Sequence, residues 1–259
     1  MLRNRIVPCL LMKNGELTKT IQFQDEKYIG DPLNAVRIFN EKQVDELLII
    51  DISATAQEIL PNFELLEKIA AECRMPLCYG GGVKSYADAK RLVELGVEKV
   101  AISSAAIEDP DIISLMANSL GSQSVAVVID VKKNSGLFGS SYSVFTHNGR
   151  VKIRSPLIEL LQRAAAAGAG EIVINSIDRD GTMGGYDLQL VKIVESSVSV
   201  PLMFIGGAGK LSDMSDLFGI APMAAAAAGS LFVFKGKYRA VLINYPDLQQ
   251  RKALASLQT

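Results

Sequence analysis

EIVINSIDRDGT, residues 171–182, opens on Glu171, runs through the apolar Ile172-Val173-Ile174 and ends in a polar turn at Gly181. Continuous apolar runs of this length read as parallel strands covered by helices, because a half-exposed strand would alternate instead. ELLIIDISAT, residues 46–55, is built in the same way. Six further segments follow the plan: RIVPCL at 5–10, PLCYG at 76–80, KVAISS at 99–104, SVAVVID at 124–130, PLMFIG at 201–206 and MAAAAA at 223–228. Pro76, Pro201 and Pro222 stand at or beside strand starts, where proline is tolerated.

The stretches between these strands carry helix signals. Asp109-Pro110 and Ser155-Pro156 each place a cap residue before a first-turn proline. Ser85 and Asp88 have capping-box spacing. Leu66, Ile69, Ala70 and Cys73 share one helical face, and Gly96, Gly121 and Gly168 stand where left-handed residues would end helices. Eight strand–helix alternations predict a (β/α)8 TIM barrel, residues 1–259, with half-barrels of about 1–120 and 121–259. The alternative is an open doubly wound sheet, but no G-x-G-x-x-G follows the first strand.

Composition narrows the function. The chain has 259 residues, 49% of them apolar, and 27 Lys+Arg against 28 Asp+Glu give a net charge of −1. That balance gives no reason to expect nucleic acid or an acidic membrane as partner. His147 is the single histidine, so multi-histidine metal sites are excluded, and Cys9, Cys73 and Cys78 have neither zinc nor disulfide spacing. The expectation is no metal, no cofactor and buried, reduced thiols in a cytoplasmic protein. Residues 6–12 make a poor signal peptide. The charge-free run 217–234 contains Pro222 and reads as a buried strand with turns rather than a membrane span.

The two halves resemble each other. Strand three ends in Gly80-Gly81-Gly82 and strand seven in Gly206-Gly207-Ala208-Gly209. Strand four ends in Ser103-Ser104 and strand eight in Gly229-Ser230. The spacing from Gly80 to Ser103 is 23 residues, and from Gly206 to Ser230 it is 24. Glycine N–H groups approach phosphate closely, and serine hydroxyls add donors. Gly81, Gly82, Ser103 and Ser104 are thus one candidate phosphate site. Gly206, Gly207, Gly229 and Ser230 are the other. Asp180 and Gly181, after strand six, are further phosphate-binding candidates. A ligand with two phosphates is the expectation.

Strand five ends at Asp130, a candidate base or orienting group, whereas Leu11 holds the equivalent place on strand one. Arg5, Glu46, Lys99 and Glu171 open strands one, two, four and six with alternating charge. They read either as a paired polar plug or as a gate to a passage. Two segments after strand ends are long. Residues 12–31 are a candidate mobile lid, and 131–150 a small hairpin with His147 in a surface turn.

RIVPCL, GDP at 30–32, DELLIIDISAT, YGGGV, EKVAISSAA, LGSQ, VIDVK, AGAGEIVINSIDRDGTMGGYDL and GGAGK together resemble the HisF family, the cyclase subunit of imidazole glycerol phosphate synthase. The resemblance spans nearly the whole chain and implies a barrel with two phosphate sites and a HisH-like glutaminase on its N-terminal face. By that resemblance Arg5, Glu46, Lys99 and Glu171 match an ammonia gate, Lys19 matches a substrate-contacting lysine, and Asp130 matches one of two catalytic aspartates. Leu11 replaces the other and cannot transfer a proton. PCLLMKNG, KYIGDPLNAVRIFNEK and MPLCYGGGV are similar to the divergent WbuZ-type branch. That branch implies ammonia delivery, with a sugar amidotransferase, to sugar amidation in surface-polysaccharide synthesis. An authentic cyclase and a glutaminase-activating scaffold are the alternatives. A phosphosugar isomerase would also need the carboxylate pair.

Overall fold

The computed structural model describes residues 4–57, 59–134 and 141–256. Eight strands form the predicted barrel: β1 (Arg5–Lys13), β2 (Leu47–Asp51), β3 (Leu77–Gly80), β4 (Lys99–Ile102), β5 (Val125–Asn134), β6 (Glu171–Ser176), β7 (Leu202–Ile205) and β8 (Ala225–Ala228). Each runs parallel to its neighbour in sequence, and β8 closes onto β1 with Val7 opposite Ala227. An open doubly wound sheet is therefore excluded.

The strands pleat, so alternate residues face the axis. Val7, Cys9, Leu48, Cys78, Ala101, Ala126, Val128, Val173, Met203, Ile205, Ala225 and Ala227 form the inner cluster. Their intervening neighbours, among them Ile6, Leu10, Leu47, Ile49 and Tyr79, pack in the larger cluster that joins strands to helices. Both faces are buried, which is why the strands lack alternating polarity.

Several boundaries shift. Glu46 stands one residue before β2, and Ser103 and Ser104 lie beyond β4. Pro110 and Pro156 are themselves the caps of helices Asp111–Leu120 and Leu157–Ala166. The Ser85–Asp88 capping box is present in both directions. Asp31 also caps helix Pro32–Glu41, accepting from Asn34 N at 2.8 Å. Gly96, Gly121 and Gly168 have φ of 101°, 90° and 100°, as expected of helix-ending glycines. Cys73 is only half-buried, unlike Cys9 and Cys78. The apolar run 217–234 divides among a helix end, β8 and a short helix, and no described helix is long and apolar enough to cross a membrane.

The candidate lid, residues 12–31, is mainly β structure. Glu16–Ile21 pairs with β1 and with Gln24–Gly30, making an antiparallel ribbon. The turn is Asn14-Gly15, with φ of 52° and 84°. Two successive positive φ values match the twist of a two-residue hairpin, and Asn-Gly is its strongest short signal. The hairpin after β5 is also present, with Ser141–Thr146 antiparallel to β5 and Val151–Lys152 beyond. Residues 135–140 of its expected span lie outside the described residues.

Candidate functional site

The ribbon after β1 crosses the barrel mouth and docks on the turn after β6. Gln22 N donates to Asp180 O at 2.9 Å, and Gln22 Nε2 donates to Asp178 O at 2.8 Å. This brings Lys19 Nζ to 3.2 Å from Asp180 Oδ1, with both side chains only 5% exposed. Thr20 Oγ1 donates to the other carboxylate oxygen at 2.8 Å.

Lys19, Asp180, Gly181, Gly206, Gly207, Gly229 and Ser230 line one cavity, which places the second candidate phosphate set beside Lys19 and Asp180. Gly207 has φ of 108°, and a Cβ there would lie 2.1 Å from Gly185 O. A Cβ on Gly229 would lie 2.5 Å from Lys19 Cε. Only glycine lets the lysine stem pass over β8.

The first set sits at neighbouring strand ends, since Gly80 on β3 is in register with Ala101 on β4. Gly81 and Gly82 follow β3, and Ser104 opens the short helix Ser104–Glu108. The tip of the second hairpin covers this region. His147 N donates to Ser104 Oγ at 3.3 Å, and Asn148 Nδ2 donates to Ile52 O at 2.7 Å. Thus the ribbon after β1 leans on β6 and the hairpin after β5 leans on β2 and β4, one arrangement used twice. His147 sits in that turn with φ of 51°, its Nε2 3.8 Å from Glu108 Oε1.

Asp130 is on β5, opposite Asn175 on β6. Asn175 Nδ2 donates to Asp130 Oδ1 at 2.9 Å, and Asn175 Oδ1 is buried without a partner. Burial pushes the Asp130 carboxyl up to about 7; the Asn175 bond opposes this and the Asp180 charge adds to it. A carboxyl that titrates near neutrality is suited to both giving and taking a proton. Leu11 packs against the inner cluster and pairs with Ile50, so no carboxyl stands at the place on β1 that corresponds to Asp130 on β5.

At the opposite end, Arg5, Glu46, Lys99 and Glu171 form a closed ring. Lys99 Nζ donates to Glu46 Oε1 at 2.8 Å and to Glu171 Oε2 at 2.9 Å. Arg5 donates to the same two carboxylates. The Glu46 and Glu171 side chains are 3% and 4% exposed, against 20% for Lys99. Burial works against the charged Lys99, but Glu171 and Glu46 outweigh it and its pKa is raised. The thiol of Cys78, next inward, is pushed well up by burial, and that of Cys9 to about 11. These are not activated thiols.

Asn175, Thr20 and Arg239 were not singled out from the sequence, yet each touches a predicted site residue. Asn175 had a readable signal: it is a polar residue in phase with inward-facing Glu171 and Val173. Thr20 lies 160 positions from Asp180; Arg239 is only nine from Ser230, but it stands in a turn with no motif of its own.

The family model described as "Histidine biosynthesis protein" matches residues 5–239. The chain is 52% identical to a Leptospira borgpetersenii protein named provisionally as an imidazole glycerol phosphate synthase subunit HisF, over 98% of this chain and 99% of that one. It is 51% identical to a provisionally named subunit hisF3 of Vibrio vulnificus, over 99% and 98% of the two chains. It is 42% identical to the imidazole glycerol phosphate synthase subunit HisF of Lactococcus lactis subsp. cremoris, over 90% and 89%. With its barrel, its glycine-lined mouth and this similarity along nearly its full length, the chain belongs to the histidine biosynthesis protein family, among the HisF-like synthase subunits.

Proposed function

We propose that this barrel accepts ammonia from a separate HisH-like glutaminase on its N-terminal face and delivers it to amidation chemistry at the C-terminal mouth. The acceptor is a sugar of surface-polysaccharide synthesis, handled with a sugar amidotransferase. The observation that carries the reading is the four-charge ring beneath an apolar interior whose mouth has Leu11 where a second acid would stand.

The interior suits neutral ammonia. Cys78, Ala101, Ala126, Ala225 and Ala227 line the axis with small side chains that carry no formal charge. Ammonium entering this region would lose hydration at a cost of several kcal/mol, whereas ammonia carries no such penalty. The two cations are more exposed than the carboxylates they bridge, Arg5 at 26% and Lys99 at 20%, so the gate would open by movement of a cation and not of Glu46 or Glu171. At the mouth, Lys19 and the glycine turns hold a phosphorylated ligand, and Asp130 moves a proton. Replacing a positioned acid with leucine removes about 10²–10⁴-fold in rate, which speaks against normal cyclisation.

The test is imidazole glycerol phosphate formation from the cyclase's bisphosphate substrate with excess ammonium. The expected result is no turnover by the unmodified chain and turnover by Leu11→Asp. Turnover by the unmodified chain would establish the second reading, an authentic cyclase, which the near-neutral Asp130 and the retained Lys19 favour.

A further inference from the structure

Arg239 is not accounted for by the barrel plan. It lies at the turn of a small hairpin, Phe234–Lys235 with Ala240–Val241, which follows the short helix Ser230–Val233 after β8. Its φ is 49°, and its N–H donates to Gly236 O at 3.0 Å, so the turn fixes where the side chain starts. Nη2 donates to Ser230 Oγ at 3.2 Å. Nε, on the same edge of the guanidinium, is buried without a partner. The guanidinium carbon stands 4.7 Å from the centre of the Phe234 ring. Lys27 Nζ stands 5.1 Å from that ring and donates to Arg239 O at 2.8 Å, tying the Lys19 ribbon to this hairpin.

The charge arrangement gives these contacts a purpose. In the cavity of Gly206, Gly207, Gly229 and Ser230, Lys19 is paired with Asp180, so the two formal charges cancel. Among the described residues no carboxylate forms an ion pair with Arg239. Arg239 does not itself line the cavity; through its bond to Ser230, which does, it sets a positive charge free of any ion pair beside it, with Lys27 behind the shared ring. A stacked guanidinium with one edge half-used is preorganised for two parallel hydrogen bonds to a phosphate.

We infer that Arg239 is a ligand-binding residue of this cavity and makes it selective for the dianionic end of a phosphate monoester, using its Nε–Nη2 edge beside Ser230. The inference rests on the phosphate reading of the cavity. It adds a specificity residue from outside the barrel strands.

The test is titration of the ¹⁵N-labelled full chain with inorganic phosphate, following the amides of Gly207 and Ser230 beside those of Gly82 and Ser104. In the unmodified chain both pairs should respond. Arg239→Met keeps an apolar stem on Phe234 and should weaken the Gly207 and Ser230 response on the order of 10- to 100-fold, leaving Gly82 and Ser104 unchanged. Arg239→Lys should recover part of the loss, since it restores charge without the fork. Unchanged affinity at Gly207 and Ser230 in Arg239→Met would overturn the role of Arg239 and leave the phosphate reading standing. Equal weakening at both pairs would also overturn it, because the side chain would then act through the fold. No response at Gly207 and Ser230 in the unmodified chain would overturn the phosphate reading of this cavity and the inference with it.

Discussion

Lys19 and Asp180, 161 positions apart in sequence, meet at 3.2 Å over the barrel mouth with both side chains out of solvent. The contact fixes the ribbon in place, and it makes each partner costly to remove alone. A buried pair adds little net stability, but breaking it strands a charge at about 3–5 kcal/mol. Asp180→Ala should therefore lower stability by roughly that amount in urea unfolding, and the Lys19→Met, Asp180→Ala double variant should recover a large part. Additive losses would show that the two side chains do not interact.

The ring at the other end makes a similar demand with a functional readout. In Lys99→Met, Glu46 and Glu171 must share Arg5, so their mutual repulsion rises. Glutaminase binding should persist, because the change is at the axis, while the fraction of glutamine-derived ammonia reaching product should change several-fold. The measurement is product formed per glutamine hydrolysed, beside the affinity of the two chains. Altered docking with unchanged coupling would point to a scaffold instead.

Asp130 should leave a mark on the pH dependence of stability. Its folded pKa, about 7, lies above the unfolded value of 3.8. The folded state thus holds a proton that the unfolded state releases first, and stability falls as pH rises through that window. Asp130→Asn, which can still accept from Asn175, removes this dependence. The variant should match the unmodified chain at pH 4 and exceed it at pH 8, by on the order of 4 kcal/mol at most. Denaturant midpoints at the two pH values check this, and a gain at pH 4 equal to that at pH 8 would refute it.

The thiols offer a simple probe of the interior. Cys9 and Cys78 are buried in the barrel axis, whereas Cys73 is half-buried with its pKa pushed up to about 11 by burial. A thiol reagent at pH 8 should modify Cys73 alone, and slowly, in the native chain; all three should react after unfolding. Rapid native modification of Cys78 would mean that the barrel interior is open to molecules far larger than ammonia.

Much of this protein was written locally. The eight apolar segments, the Ser85–Asp88 box and the helix-ending glycines each act within a few residues, so periodicity and spacing reveal them, and eight alternations leave the barrel as the natural closure. The charged ring was legible too, because the pleat places Arg5, Lys99 and Glu171 in phase with the inward cluster. Asn14-Gly15 carries a hairpin signal that the reading of 12–31 as a candidate lid did not use. What the sequence by itself could not determine is which distant groups meet at the mouth. Lys19 with Asp180, Asp130 with Asn175 and Ser230 with Arg239 are pairings across strands and turns. The first two follow from barrel closure, register and the lean of a hairpin, all long-range; the third, nine residues apart, depends on how the small hairpin after β8 folds back. The near-neutral Asp130 belongs to that class as well, since its cause is burial. An aspartate in VIDVK looks the same in solvent and in the core; only the packed barrel decides how much water it keeps.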